Sequence, residues 1–148
     1  MLIKKFGNAK IDDILSFENK YKLKLPIDYT NFLLHFNGGQ VAPEDEGEIL
    51  IEYLNEFISV DVLYGIKTGK QLCDIDYWME KYKNEMPNKT VIIGDSYQNG
   101  FIVMMCSDED NGIYYWDDSY HFKNSNDEGN TYFLSNSFFD FAKKILQE

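Results

Sequence analysis

Three short apolar runs lie close together between residues 91 and 116, and each is separated from the next by a turn signal. Val91-Ile92-Ile93 leads into Gly94-Asp95, Asn99-Gly100 precedes Phe101 to Cys106, and Asp108 to Gly112 precedes Ile113-Tyr114-Tyr115-Trp116. Asn-Gly favours the positive backbone angles of a tight hairpin, so these runs are read as consecutive antiparallel strands. The run from Phe101 to Cys106 is almost wholly apolar, which predicts a central strand covered on both faces. Strand side chains alternate, so Tyr114 and Trp116 share one face and Tyr115 takes the other.

Helical periodicity flanks this meander. Ile11, Ile14, Leu15 and Tyr21 predict a helix over 8–21 with Asn8 as its cap. Pro26 suits the first position of a second helix, because its missing N–H has no intrahelical partner there. Tyr29, Phe32, Leu33 and Phe36 give that helix one apolar stripe, and Asn37-Gly38-Gly39 ends it. Two strands are expected over 49–54 and 57–64, a helix over 68–85 and a short strand over 131–134. A final helix carries Phe138, Phe141, Ala142 and Ile145, opened by a capping box of Ser137 and Asp140. The expected fold is therefore α+β: one domain over residues 1–148, an antiparallel β-meander covered by N-terminal, middle and C-terminal helices. At 148 residues, such a domain buries about 68–70 % of its unfolded surface and needs neither disulfide nor metal. Cys73 and Cys106 fall in separate segments and are read as buried free thiols.

Charge narrows the function classes. The chain carries 25 acidic residues against 14 basic ones, a net charge of −11, and every basic residue is lysine. That argues against nucleic acid as a partner, since phosphate recognition rests on Lys and Arg. The excess is local: residues 41–66 hold seven acids and no lysine, and residues 90–140 hold nine acids and one lysine. Such a surface serves solubility, or it steers a basic partner into place. No apolar run has the length of a signal peptide or a membrane span, so the expected location is the cytoplasm, with no membrane partner.

Enzymatic and metal chemistry find little support in the residues. Asp108-Glu109-Asp110-Asn111-Gly112 resembles an EF-hand loop, but its glycine comes one residue early and no Glu stands at the twelfth position. Asp117-Asp118 with His121 is a common loop composition. His35 sits near a helix end, where a polar ring needs no further role. No GxSxG or phosphate-cradling glycine motif occurs. The expectation is no catalytic residue, no metal and no cofactor.

Three blocks in order resemble one family. They are Glu18 through Leu25-Pro26-Ile27-Asp28-Tyr29 to Asn37-Gly38-Gly39, then Ile92-Ile93-Gly94-Asp95 with Gly100 and Gly112-Ile113-Tyr114-Tyr115-Trp116-Asp117, then Ser137-Phe138-Phe139-Asp140-Phe141. The set resembles the SUKH superfamily from about Ile11 to Leu146. That group includes the yeast cell-wall-synthesis regulator and many bacterial immunity proteins. One departure is the Ser96 to Asn99 insertion before Gly100, a longer hairpin than is usual there. The resemblance implies a non-enzymatic immunity protein that binds and neutralises a polymorphic bacterial toxin, in some cases a nuclease. The alternative is a regulatory interaction module, and a small hydrolase is a remote third. With a basic toxin as partner, the expected contacts are Glu44, Asp45, Glu46, Asp108, Glu109, Asp110, Asp117 and Asp118, with Tyr115 or Trp116 as aromatic anchors. The oligomeric state is left open at this level.

Overall fold

The N-terminal third holds two helices, and the segment leading into the first is bonded to the end of the second by Gly7 N–H to the Phe36 carbonyl and Ala9 N–H to the Leu33 carbonyl. In the computed structural model, which describes residues 3–41, 47–107 and 111–146, a strand β1 (Ile3–Lys5) leads to α1 (Ile11–Tyr21) and α2 (Ile27–His35). Helix α1 starts at residue 11 with no side-chain cap. Asn8 does not cap it; its amide donates to the Leu34 carbonyl at 2.8 Å and so serves the far end of α2. Ile14 and Phe17 are the buried residues of α1, whereas Ile11 and Leu15 are half exposed. Pro26 stands one position earlier than expected, at the cap of α2, where its carbonyl accepts from Thr30 N–H.

Asn37 does more than end α2. It adopts a left-handed conformation, φ 51°. Its side chain then pairs with Ile66 as a backbone would, donating to the carbonyl at 2.9 Å and accepting from the N–H at 2.8 Å. Gly65 lies against the Asn37 carbonyl so closely that no Cβ fits. The turn after α2 is thereby tied to the segment that follows the fourth strand.

The sheet follows as β2 (Gly39–Val41), β3 (Glu48–Ile51), β4 (Glu56–Leu63), β5 (Thr90–Ser96), β6 (Phe101–Met105), β7 (Gly112–Trp116) and β8 (Thr131–Ser135). Strand order is β1-β2-β4-β5-β6-β7-β8, with β3 paired to β4 off this path. All pairings between these strands are antiparallel. Strand β4 is shared, because β3 pairs with Glu56 to Ser59 while β2 pairs with Val62 and Leu63. The expected α+β meander is present. Ile92, Ile93, Ile102, Val103 and Met104 are all buried, as a strand pair covered on both faces requires.

Between β4 and β5 the chain forms a shorter helix than the 68–85 expected: a 3-10 turn at Gln71–Cys73, then α3 (Ile75–Tyr82). The cause is local. The Asp74 carboxylate accepts from the Thr68 N–H at 2.8 Å and hydroxyl at 2.6 Å, folding residues 68–74 into a turn. Helix α3 covers one face of the meander. Its Met79 sulfur accepts from Ile92 N–H, and its Tyr82 ring lies 5.2 Å from Phe101 and 5.3 Å from Trp116. The last helix, α4 (Phe138–Ile145), has the expected Ser137 cap, whose hydroxyl accepts from Asp140 N–H at 3.1 Å. Phe138 packs edge-on to Tyr29 of α2, with ring centres 4.9 Å apart. Among the described residues, no helix is long and apolar enough to cross a membrane.

Candidate functional site: an aromatic cleft at the free end of the sheet

Strand β8 ends the sheet, and its alternation leaves Phe133 outward between buried Tyr132 and Leu134. Phe133 pairs in register with Tyr114 of β7, and the two rings meet edge to face at 5.5 Å. Helix α3 does not extend over this pair; Phe133 is 43 % exposed. On the far side of Tyr132, the β3–β4 hairpin presents Tyr53, stacked on the Tyr132 ring at 6.2 Å and 81 % exposed. Between them opens a cleft of about 620 Å³ walled by Asn124, Asn126 and Glu128 of the 117–130 loop. Glu52 and Glu56 are exposed in the same hairpin as Tyr53.

The loop that walls the cleft is built around Asp117. This side chain is fully buried. Its carboxylate accepts from His121 N–H at 2.8 Å, Phe122 N–H at 2.9 Å and the Ser125 hydroxyl at 2.5 Å. Ser125 in turn lies 2.7 Å from the Tyr132 hydroxyl, and Asp117 N–H donates to Asn130 carbonyl. Asn126 folds the loop tip by accepting from Glu128 and Gly129 N–H. Tyr120 donates to Asp127. A buried carboxylate is stable only when hydrogen-bonded, and here that requirement shapes the loop.

The residues expected as contacts divide sharply. Glu44, Asp45, Glu46, Asp108, Glu109 and Asp110 lie outside the described residues. Tyr115 is fully buried. Its hydroxyl is 2.8 Å from Ser96 Oγ, and burial pushes it up to about 12. It packs so tightly on Gly100 that no Cβ fits there. Trp116 takes the opposite face, as alternation predicts, but lies 9 % exposed between Phe101 and Tyr82. With Asp117 buried as well, these three side chains are framework and not surface, which corrects their reading as contacts. Asp118 is half buried near Tyr82 and Glu85, and burial raises its carboxyl above the usual range. One of its oxygens has no hydrogen-bond partner among the described residues. The aromatic surface at this end belongs instead to Tyr53, Tyr114 and Phe133; strand alternation placed Tyr114 on one face with Trp116, but nothing in the sequence reading pointed to Tyr53 or Phe133. The available signal was the alternation in 131–135, which turns Phe133 away from Tyr132 and Leu134.

Other titratable groups have structural partners. Asp95 of the Gly94-Asp95 pair accepts from Val62 N–H at 3.1 Å and the Tyr64 hydroxyl at 2.7 Å. Burial outweighs both bonds and lifts its carboxyl to about 6. His35 Nδ1 lies 2.8 Å from the Asn31 carbonyl. Cys73 and Cys106 are free and half buried; burial pushes Cys106 up to about 12, away from thiolate reactivity. No group of three or more His, Cys, Asp or Glu placed to hold a metal occurs among the described residues.

An antiparallel sheet with a helix-covered middle and an open aromatic end defines an α+β scaffold domain. The profile of the SMI1/KNR4 family (SUKH-1) matches residues 8–144, and the chain belongs to that family. No curated protein matches it.

Proposed function

We propose that this protein is a non-enzymatic immunity protein that binds and occludes a basic bacterial toxin domain through the cleft between Tyr53 and Phe133. The observation that carries the reading is the exposure of these two aromatics on either side of a cleft walled by amides and Glu128. Large aromatic rings held rigidly at a polar rim are the usual anchors of protein interfaces. The family membership supports an interaction role. The acidic runs Glu44 to Glu46 and Asp108 to Asp110 supply negative charge that steers a basic partner.

The test is co-expression with the product of an adjacent gene that carries a basic toxin-like domain, followed by calorimetry on the purified pair. Joint Tyr53→Ala and Phe133→Ala replacement is expected to weaken binding by about 100-fold, at roughly 1.4 kcal/mol per decade. Melting temperature stays near that of the parent, because both rings are surface residues. Reversing three of these acids to Lys lowers the association rate and its salt dependence. Unchanged affinity in the aromatic pair variant overturns the cleft assignment. Absence of any toxin partner, with binding to a housekeeping protein in its place, supports the regulatory alternative.

A further inference from the structure

A second surface, on the opposite helical layer, has a different character. Residues of α2 and α4 line a groove of about 410 Å³, whose apolar lining includes Phe32, Phe36, Phe138, Ala142 and Leu146. At its rim stands Phe139, 60 % exposed although aromatic. Its backbone N–H donates to Asp28 Oδ2 at 2.9 Å, which ties the start of α4 to α2, and the Lys143 ammonium sits 4.8 Å from the ring centre. The groove therefore carries both an apolar socket and an apolar knob that does not fill it.

Its electrostatics select the occupant. Of the charged residues lining it, Asp28 stands against Lys143, which also bridges Asp140 on its own helix at 3.6 Å. Helix α4 has two lysines and one acid, so this face is close to neutral on a chain of −11. Two copies of so acidic a protein repel across most of their surfaces, and a face with balanced charge is where like molecules can meet. A patch with its own knob and socket is self-complementary under a two-fold axis.

We propose that two copies of this chain associate through the α2–α4 groove, with Phe139 of each seated in the groove of the other. The proposal is independent of the toxin reading, because Tyr53 and Phe133 lie on different elements from this groove.

Sedimentation equilibrium of the full chain, from micromolar to millimolar concentration, tests it. The expected result is a reversible dimer that Phe139→Asp weakens at least about tenfold and Phe139→Leu largely preserves. Asn31→Glu, which places a charge at the exposed rim of the groove, weakens it similarly. Thermal melting of both charged variants matches the parent, showing that the fold is intact. A chain that stays monomeric throughout overturns the proposal. So does a dimer indifferent to both Phe139→Asp and Asn31→Glu. A monomer whose groove takes up an amphipathic helical peptide also overturns it and assigns the groove to a different occupant.

Discussion

At the scale of single residues, Asp117 and Asp118 are neighbours with opposite fates. Asp117 gathers the donors of residues 121, 122 and 125, while Asp118 keeps an oxygen without a partner among the described residues. Asp117→Ala leaves the buried Phe122 N–H, the partly buried His121 N–H and the Ser125 hydroxyl without their acceptor. The expected cost is about 2–4 kcal/mol, read by denaturant unfolding, with faster amide exchange at His121 and Phe122 as the local signature. A Gly100→Ala change drives a methyl into the Tyr115 ring and hydroxyl, and should cost about 1–3 kcal/mol. Adding Tyr115→Phe removes the clashing oxygen, so the double variant should lose less than the two single losses together. Unfolding curves for the four proteins measure that coupling, and strict additivity would refute the contact. Neither role was legible in the sequence. Two adjacent aspartates after a strand look alike there, and only the tertiary path of residues 118–130 decides which one turns inward. The Asn99-Gly100 turn was legible as a turn, but its two residues divide the work: Asn99 takes the positive φ of 69°, and Gly100 yields space to Tyr115.

At the scale of elements, the Asp95 carboxylate joins β5 to β4 where their register shifts between Val60 and Leu63. Ladder bonds are interrupted at such an irregularity, and Asp95 supplies the acceptor that Val62 N–H would otherwise lack. The cost is a buried charge. Its folded pKa lies near 6, above the ordinary carboxylate value of 3.8, so the group favours folding fully below pH 3.8 and loses that contribution as pH rises through 6. A shift of this size corresponds to roughly 3 kcal/mol by neutral pH. Asp95→Asn retains an oxygen for Val62 N–H and an amide that can donate to the Tyr64 hydroxyl, without the charge. The variant should gain stability relative to the parent as pH rises from about 4 to about 7, and urea titrations at several pH values give the difference. A flat difference across that range would show that Asp95 is already ionised at little cost. Elements with local signals were the legible ones: the meander from its turns, and α2 from its stripe and Pro26. Strands β1 and β2 were not, because each spans three residues and pairs with a segment distant in sequence. The helix expected over 68–85 lost its first turns to the Thr68–Asp74 hydrogen bonds, a local competition that periodicity does not register.

At the scale of the whole molecule, the same net charge of −11 acts with opposite sign on the two proposed surfaces. A basic toxin is attracted over distances set by the Debye length, so added salt removes attraction and slows its association. Two copies of the chain repel, so added salt removes repulsion and strengthens the contact between near-neutral α2–α4 faces. Raising ionic strength from about 0.05 M to about 0.5 M should therefore weaken toxin binding chiefly through its association rate, while the dimer tightens. Stopped-flow association and sedimentation equilibrium on one preparation give both slopes. If both interactions weaken with salt, the self-contact depends on unlike charges brought together across the interface, and the apolar seating of Phe139 is wrong. If both strengthen, the toxin is not held by charge, and the acidic segments serve solubility while Tyr53 and Phe133 carry binding by burial alone. The two slopes together thus separate a steering role for the acidic segments from an apolar role for the helical groove.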